Sequence, residues 1–288
     1  MKLSIKVRFL NFFRVVFTIP ILERILVSLT QGKLPSHFVS KLVPNPYQYP
    51  PNSFRLVYRN GIKMGIDISD YIGHYYYFGF TDKSLDSLFQ LCKEGDNVLD
   101  IGTNIGWVAH HLAKISNSGI VFGFEPDPYN FDRCTENIKL NGFKNLLVLP
   151  FGLGDTDGSI GMEIRTPTNL GGNRIAPIGT ANTREVKISR LDDIESIKKL
   201  SKIDLIKIDV EGYELNVLRG GEQTLKKHHP ILFIELDDNN LKDQGDSASA
   251  VINFLFEIGY QEIEHAESKT RINTSTDFVN CHFDIVAR

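Results

Sequence analysis

Asp209 and Glu211 stand two residues apart just beyond the apolar run Leu205 to Ile208, and Glu235 ends the next run, Ile231 to Ile234. Carboxylates at such turns orient an acceptor hydroxyl or take its proton as a general base. Asp209 and Glu235, on neighbouring strand ends, could also share one divalent, oxygen-liking ion such as Mg²⁺ with water and acceptor oxygens. The plainer readings are that Asp209 bonds backbone amides and that Glu211 caps the following helix. Lys207 lies two residues before Asp209, on the same side of a strand. Pairing with Asp209 or Glu235 would be a structural role for it.

A second set of residues lies upstream, Asp100-Ile-Gly102-Thr103-Asn104-Ile-Gly106-Trp107. Glycines there let the backbone approach a ligand, and a helix opening at such a turn aims N–H groups at it. A dinucleotide turn would carry its third glycine where Trp107 stands, and no Gly-Lys-Ser/Thr of a phosphate loop follows. Acidic-x-Gly-x-Asn-x-Gly fits an S-adenosylmethionine turn. Asp100 can receive that molecule's ammonium, directly or through water, and backbone groups of the turn its carboxylate. Glu125, 19 residues after Gly106, ends the next strand, where an acid accepts both ribose hydroxyls. Pro126 follows it, and Asp127 is better explained as the cap of the helix from Tyr129. After the third strand, Gly152 and Leu153 are placed to supply backbone and apolar surface to an adenine.

These residues need strands that stop at one common edge. The predicted order is strand 98–101, helix 107–115, strand 120–124, helix 129–141, strand 146–150, then a polar hairpin region, 155–186. Helix 191–200, strand 205–209, helix 214–227, strand 231–236, helix 247–258 and strands 261–264 and 282–287 complete it. Nearly continuous apolar strands alternating with helices indicate an α/β fold, a Rossmann-like, doubly wound, seven-stranded, mostly parallel sheet whose last two strands form a hairpin. The insert carries Asn169, Asn173 and Arg174, suited to sugar hydroxyls or an acidic substituent, or simply to an exposed hairpin. His110 and His111 open the helix after the glycine turn and read as structural.

The first 66 residues form an extension: an amphipathic helix, a proline-rich connector (34–52) and a hairpin around Asn60-Gly61. The domain proper is 67–288. Phe9, Phe12, Phe13, Val16 and Phe17 share one helical face. That face would pack on the domain, on a partner, or on a membrane surface through residues 1–30; its apolar run is too short to span a bilayer. The run Tyr75–Tyr77 with His74 is either a lid or sugar platform, or core packing. The chain has 288 residues, 42% hydrophobic and 23% charged, with net charge −3, which argues against a nucleic-acid partner. Cys92, Cys134 and Cys281 are odd in number and far apart, which indicates a reducing, cytoplasmic setting rather than a disulfide or zinc framework.

The blocks Val98–Gly106, Gly123–Asp127, Arg190–Asp193, Ile206–Glu214 and Ile231–Glu235 together resemble the FkbM family of S-adenosylmethionine-dependent methyltransferases, over about Asp67 to Arg288. The resemblance implies a class I methyltransferase fold and O-methylation of a hydroxyl on a sugar or other small molecule. The strand-end reading puts Asp209, Glu211 and Glu235 at the acceptor, and Asp100, Gly102, Thr103, Asn104, Gly106, Glu125, Pro126, Gly152 and Leu153 at the cofactor. Methylation of another atom or of a polymer, and a catalytically silent cofactor-binding domain, are the competing readings.

Overall fold

The computed structural model describes residues 5–164, 172–176 and 182–288, which divide into two units at Asp82. In the first, helices α1 (Ile5–Arg14) and α2 (Pro20–Thr30) precede strands β1 (Phe54–Arg59) and β2 (Ile62–Asp67) and helix α3 (Tyr71–Phe78). Asn60 and Gly61 both take positive φ, 51° and 75°, as the two-residue turn of a twisted hairpin requires. Asp70 caps α3 by accepting from the N–H groups of Ile72 and Gly73. A buried charge ties the unit together: Glu23 of α2 accepts from Arg55 at 2.8 Å and from the Tyr77 hydroxyl at 2.6 Å. His74 lies 2.6 Å from the Pro44 carbonyl, and burial pushes its pKa down to about 4. His74, Tyr77 and Phe78 are buried on α3, so packing within this unit accounts for them.

In the second unit α4 (Lys83–Leu91) leads to β3 (Val98–Ile101), α5 (Trp107–Ser116), β4 (Val121–Phe124), α6 (Pro128–Asn141) and β5 (Leu146–Leu149). An insert follows, with β6 (Gly152–Leu153), β7 (Gly158–Glu163), β8 (Arg174–Ala176) and β9 (Thr183–Ser189). The chain returns through α7 (Glu195–Lys198), β10 (Leu205–Ile208), α8 (Glu214–Gly220), α9 (Glu222–His228) and β11 (Ile231–Asp237). It ends with α10 (Asp238–Asp243), α11 (Ala248–Glu257), β12 (Ile263–His265), β13 (Arg271–Ile272) and β14 (His282–Ala287).

The main sheet runs β13-β12-β14-β11-β10-β3-β4-β5, with β3, β4, β5, β10 and β11 parallel and β14 antiparallel to both its neighbours. It is a mostly parallel α/β sheet, but of eight strands rather than seven. The eighth, β13, is two residues at the edge beside β12, too short to leave a period in the sequence. The polar hairpin region is a separate four-stranded sheet, β6-β9-β7-β8. The helix expected over 214–227 breaks at Gly220-Gly221, a pair of poor helix formers.

The chain steps outward through β3, β4 and β5, then returns beside β3 as β10. This reversal opens a crevice beyond the carboxyl ends of β3 and β10. Successive strand residues enter two apolar clusters, one containing Leu99, Ile101, Ile206 and Ile208, the other Val98, Val121, Leu205 and Phe233. Asp100, Lys207 and Glu235 alternate onto the side of the second cluster. Register sets Lys207 opposite Asp100 and Ile208 opposite Ile234, which brings the next residues, Asp209 and Glu235, level. A polar row therefore finishes an otherwise apolar face at the crevice.

Candidate active site

The turn after β3 is built by its own hydrogen bonds. Thr103 Oγ1 donates to the Asp100 carbonyl at 2.7 Å and accepts from Phe124 N–H at 3.0 Å. The N–H groups of Gly102 and Thr103 reach the Phe124 carbonyl, Gly106 N–H the Thr103 carbonyl, and Ile105 N–H the Asn104 side chain. Asn104, at φ 53°, donates its N–H to Glu125 at 2.7 Å. Every N–H from Gly102 to Gly106 thus has a partner inside the protein. Thr103 is a buried staple, and the turn offers its shape rather than spare donors. Gly102, at φ 82°, lies so close to the Asp209 carbonyl that a Cβ would overlap it. Gly106, at φ 89°, would set one 2.5 Å from Cys134 Sγ. The close approach of β3 to the end of β10 therefore depends on Gly102.

Glu125 is buried and accepts from Asn104 N–H on one oxygen and from Asp127 N–H, at 2.9 Å, on the other. A carboxylate has about four lone-pair positions, so one on each oxygen is left, enough for a pair of vicinal hydroxyls. Burial pushes its pKa up to about 7, against the pull of the two N–H groups. Asp127 caps α6 as predicted and also pairs with Arg184 at 3.0 Å. Gly152 packs beside Pro126, so its backbone borders the Glu125 strand end, whereas the Leu153 side chain is buried in the main core.

Asp100 is fully buried, and among the described residues neither carboxylate oxygen has a hydrogen-bond partner. Its charge is met by Lys207, whose Nζ lies 3.4 Å from Asp100, 3.3 Å from Asp209 and 2.9 Å from the Gly102 carbonyl. Burial raises the Asp100 pKa and the ammonium beside it opposes that rise. For Lys207, burial alone would lower the pKa, but Asp209 and Asp100 hold it above the ordinary lysine value. Lys207 is thus a hub joining the glycine turn to the strand end where Asp209 begins.

Asp209, Glu211 and Glu235 each place a carboxylate oxygen within 4.8 Å of the others. Asp209 faces the Lys207 ammonium and Glu211 the Arg174 guanidinium at 3.9 Å, while the His282 ring lies 3.7 Å from Glu235. Glu211 sits at φ 56°, a conformation a non-glycine residue adopts at a cost of order 1–3 kcal/mol. It accepts from Asn240 at 2.9 Å, and burial followed by the Asp209 charge pushes its pKa up to about 7. Glu214, not Glu211, secures the loop, accepting from Val210 and Gly212 N–H at 3.1 and 3.0 Å. Glu235 is held protonated well above the usual carboxylate range by Asp209, then by burial and Glu211.

Three participants escaped the sequence reading. Asn240, His282 and Asp284 come from α10 and β14, and the antiparallel register of β11 and β14 sets His282 opposite Asp237 and Asp284 opposite Glu235. The only sequence signal was an acid or histidine alternating with apolar residues in β14. Arg174 is spent on Asn240, Asp243 and Glu211. Asn173 keeps both buried amide atoms without a hydrogen-bond partner among the described residues. Asn169 lies outside the described residues. His110 and His111 bond their own helix carbonyls, with pKa values lowered by burial.

A profile of the methyltransferase FkbM domain matches residues 100–262, from Asp100 at the glycine turn to the edge of β12. The chain belongs to the FkbM methyltransferase family. It is 32% identical over 192 residues to a hexuronic acid methyltransferase, AglP, of Haloferax volcanii, covering 67% of this chain and 72% of that protein. It is 29% identical over 176 residues to a 2-O-methyltransferase, NoeI, of Sinorhizobium fredii, covering 55% and 70%. A crystal structure of a methyltransferase FkbM from Methylobacillus flagellatus superposes with a TM-score of 0.45 at 20% identity, over 67% of this chain. The chain spans 44% of that structure's length. By its family, the chain is a methyltransferase.

Proposed function

We propose that this FkbM protein transfers a methyl group from S-adenosylmethionine to a hydroxyl of a carbohydrate or glycosylated small molecule. The observation that carries the reading is the cluster of Asp209, Glu211 and Glu235 at the crevice that also holds Glu125. One relative, by its name a hexuronic acid methyltransferase, supports a sugar acceptor, and another, by its name a 2-O-methyltransferase, supports transfer to oxygen.

The buried, ionisable Glu125 and the close-packed glycine turn fit the cofactor. Glu125 receives the ribose hydroxyls on its two remaining lone pairs, and Gly152 and Pro126 border the adenine. Asp100, enclosed behind Lys207, acts through the turn rather than by touching the ligand. When bound, the cofactor supplies an electrophilic methyl on a cationic sulfur. Asp209, fixed by Lys207, orients the acceptor hydroxyl in line with the sulfur–methyl bond. Glu211 takes the hydroxyl proton as the oxygen–carbon bond forms and the sulfur keeps the electron pair of the bond that breaks.

Asp209, Glu211 and Glu235 also have the donor chemistry for one Mg²⁺. Lys207 and Arg174, already facing Asp209 and Glu211, favour acceptor orientation without it. Labelled-methyl transfer to a panel of glycosides and uronic acids tests the proposal. Label should appear in a sugar, and Asp209→Asn should abolish most of it. Transfer only to amines, or to none of the panel while peptide or RNA is labelled, would overturn it.

A further inference from the structure

Helices α1 and α2 leave apolar faces uncovered among the described residues. Asn11 and Arg14, on one side of α1, are pinned to the segment that follows α2. Asn11 bonds Tyr47 at 2.7 Å, Asn45 at 2.8 Å and Gln48 at 3.0 Å, and Arg14 donates to the Lys41 carbonyl at 2.7 Å. Phe9, Phe12 and Phe13 lie on the opposite side of the helical wheel and are 65%, 74% and 52% exposed. In α2, Glu23, Leu26 and Thr30 point into the unit, while Ile21, Ile25 and Leu29, four residues apart, are 72%, 51% and 53% exposed. Contiguous apolar exposure of this kind marks a contact surface.

Charge selects the partner. Residues 1–42 hold seven lysines and arginines and a single acid, Glu23, which is buried against Arg55; the rest of the chain holds 25 basic and 34 acidic residues. Two copies meeting through this face would bring like charges together, since a two-fold interface presents one patch to itself. No described helix is long and apolar enough to cross a membrane. Basic residues flanking exposed phenylalanine, isoleucine and leucine suit the surface of an anionic bilayer.

We propose that α1 and α2 dock this protein peripherally on anionic lipid. The test is flotation of the full chain with vesicles of phosphatidylcholine alone or with a quarter phosphatidylglycerol. The chain should float with the anionic vesicles and far less with the neutral ones, and high salt should weaken it. Phe12→Ser with Ile25→Ser, and separately Arg24→Glu with Lys33→Glu, should each reduce binding about tenfold. All four side chains are exposed, so an unchanged thermal shift with S-adenosylhomocysteine verifies folding. Failure to float with anionic vesicles, or binding that neither pair of substitutions weakens, would overturn the proposal. So would a self-associated species dissolved by the serine substitutions.

Discussion

Replacing Glu125 with glutamine separates the cost of this residue from its use. The folded protein raises its pKa from 4.5 to about 7. Between those values the folded protein holds a proton that the unfolded chain has released, so stability falls as pH rises through this window and levels off above about 7. The full cost of ionisation is of order 3 kcal/mol. Glutamine removes that cost but turns an amide NH₂ toward one of the two backbone N–H groups now bonded to the carboxylate, a loss of about 1–3 kcal/mol. Unliganded stability at pH 8 should therefore change little, and its slope between pH 4.5 and 7 should flatten. Affinity for S-adenosylhomocysteine should fall by about 1–3 kcal/mol, roughly five- to 150-fold. Because the ribose hydroxyls need the carboxylate, wild-type affinity should also fall by up to about tenfold per unit below pH 7. Isothermal calorimetry from pH 5 to 8, with urea unfolding alongside, reads all of this. Affinity unchanged in Glu125→Gln, or flat across pH in the wild type, would refute the assignment of the ribose to Glu125.

Asp209→Asn should lower kcat by about a hundredfold or more, the range of a lost proton-handling or orienting group, with little change in S-adenosylhomocysteine affinity; equal loss of both would make Asp209 a binding residue. Lys207→Met leaves buried Asp100 without a cation and should cost about 3–5 kcal/mol in urea unfolding. Adding Asp100→Asn should restore much of that loss, and no recovery would mean that Lys207 acts by packing. Activity should survive a strong chelator, because Lys207 and Arg174 already face Asp209 and Glu211. Loss reversed by Mg²⁺ would place an ion among Asp209, Glu211 and Glu235.

The parallel core was legible because strands buried on both faces, such as Val98–Ile101 and Leu205–Ile208, leave unbroken apolar runs. Their ends located Asp100, Glu125, Asp209 and Glu235 on one edge. Sequence period carries no information about lateral register, so the meeting of Glu235 with Asp284 and His282 was hidden. Lys207 was seen as a pairing residue, but its hold on Asp100 needed the alignment of β10 with β3. Thr103 and the turn amides looked available to a ligand. Only their partners, the carbonyls of Asp100, Thr103 and Phe124 and the side chains of Asn104 and Glu125, reveal that they are committed. The short strands β6, β8 and β13 are too brief for any period to announce them.

S-adenosylmethionine labelled with ¹³C at the methyl, followed by NMR in reactions with a uronic acid glycoside series, reads the acceptor atom itself. The proposed chemistry predicts a new methoxy resonance coupled to a ring proton of the sugar, absent with Asp209→Asn. A labelled methyl on nitrogen, carbon or sulfur, or no acceptor labelled by a protein that binds the cofactor, would contradict it.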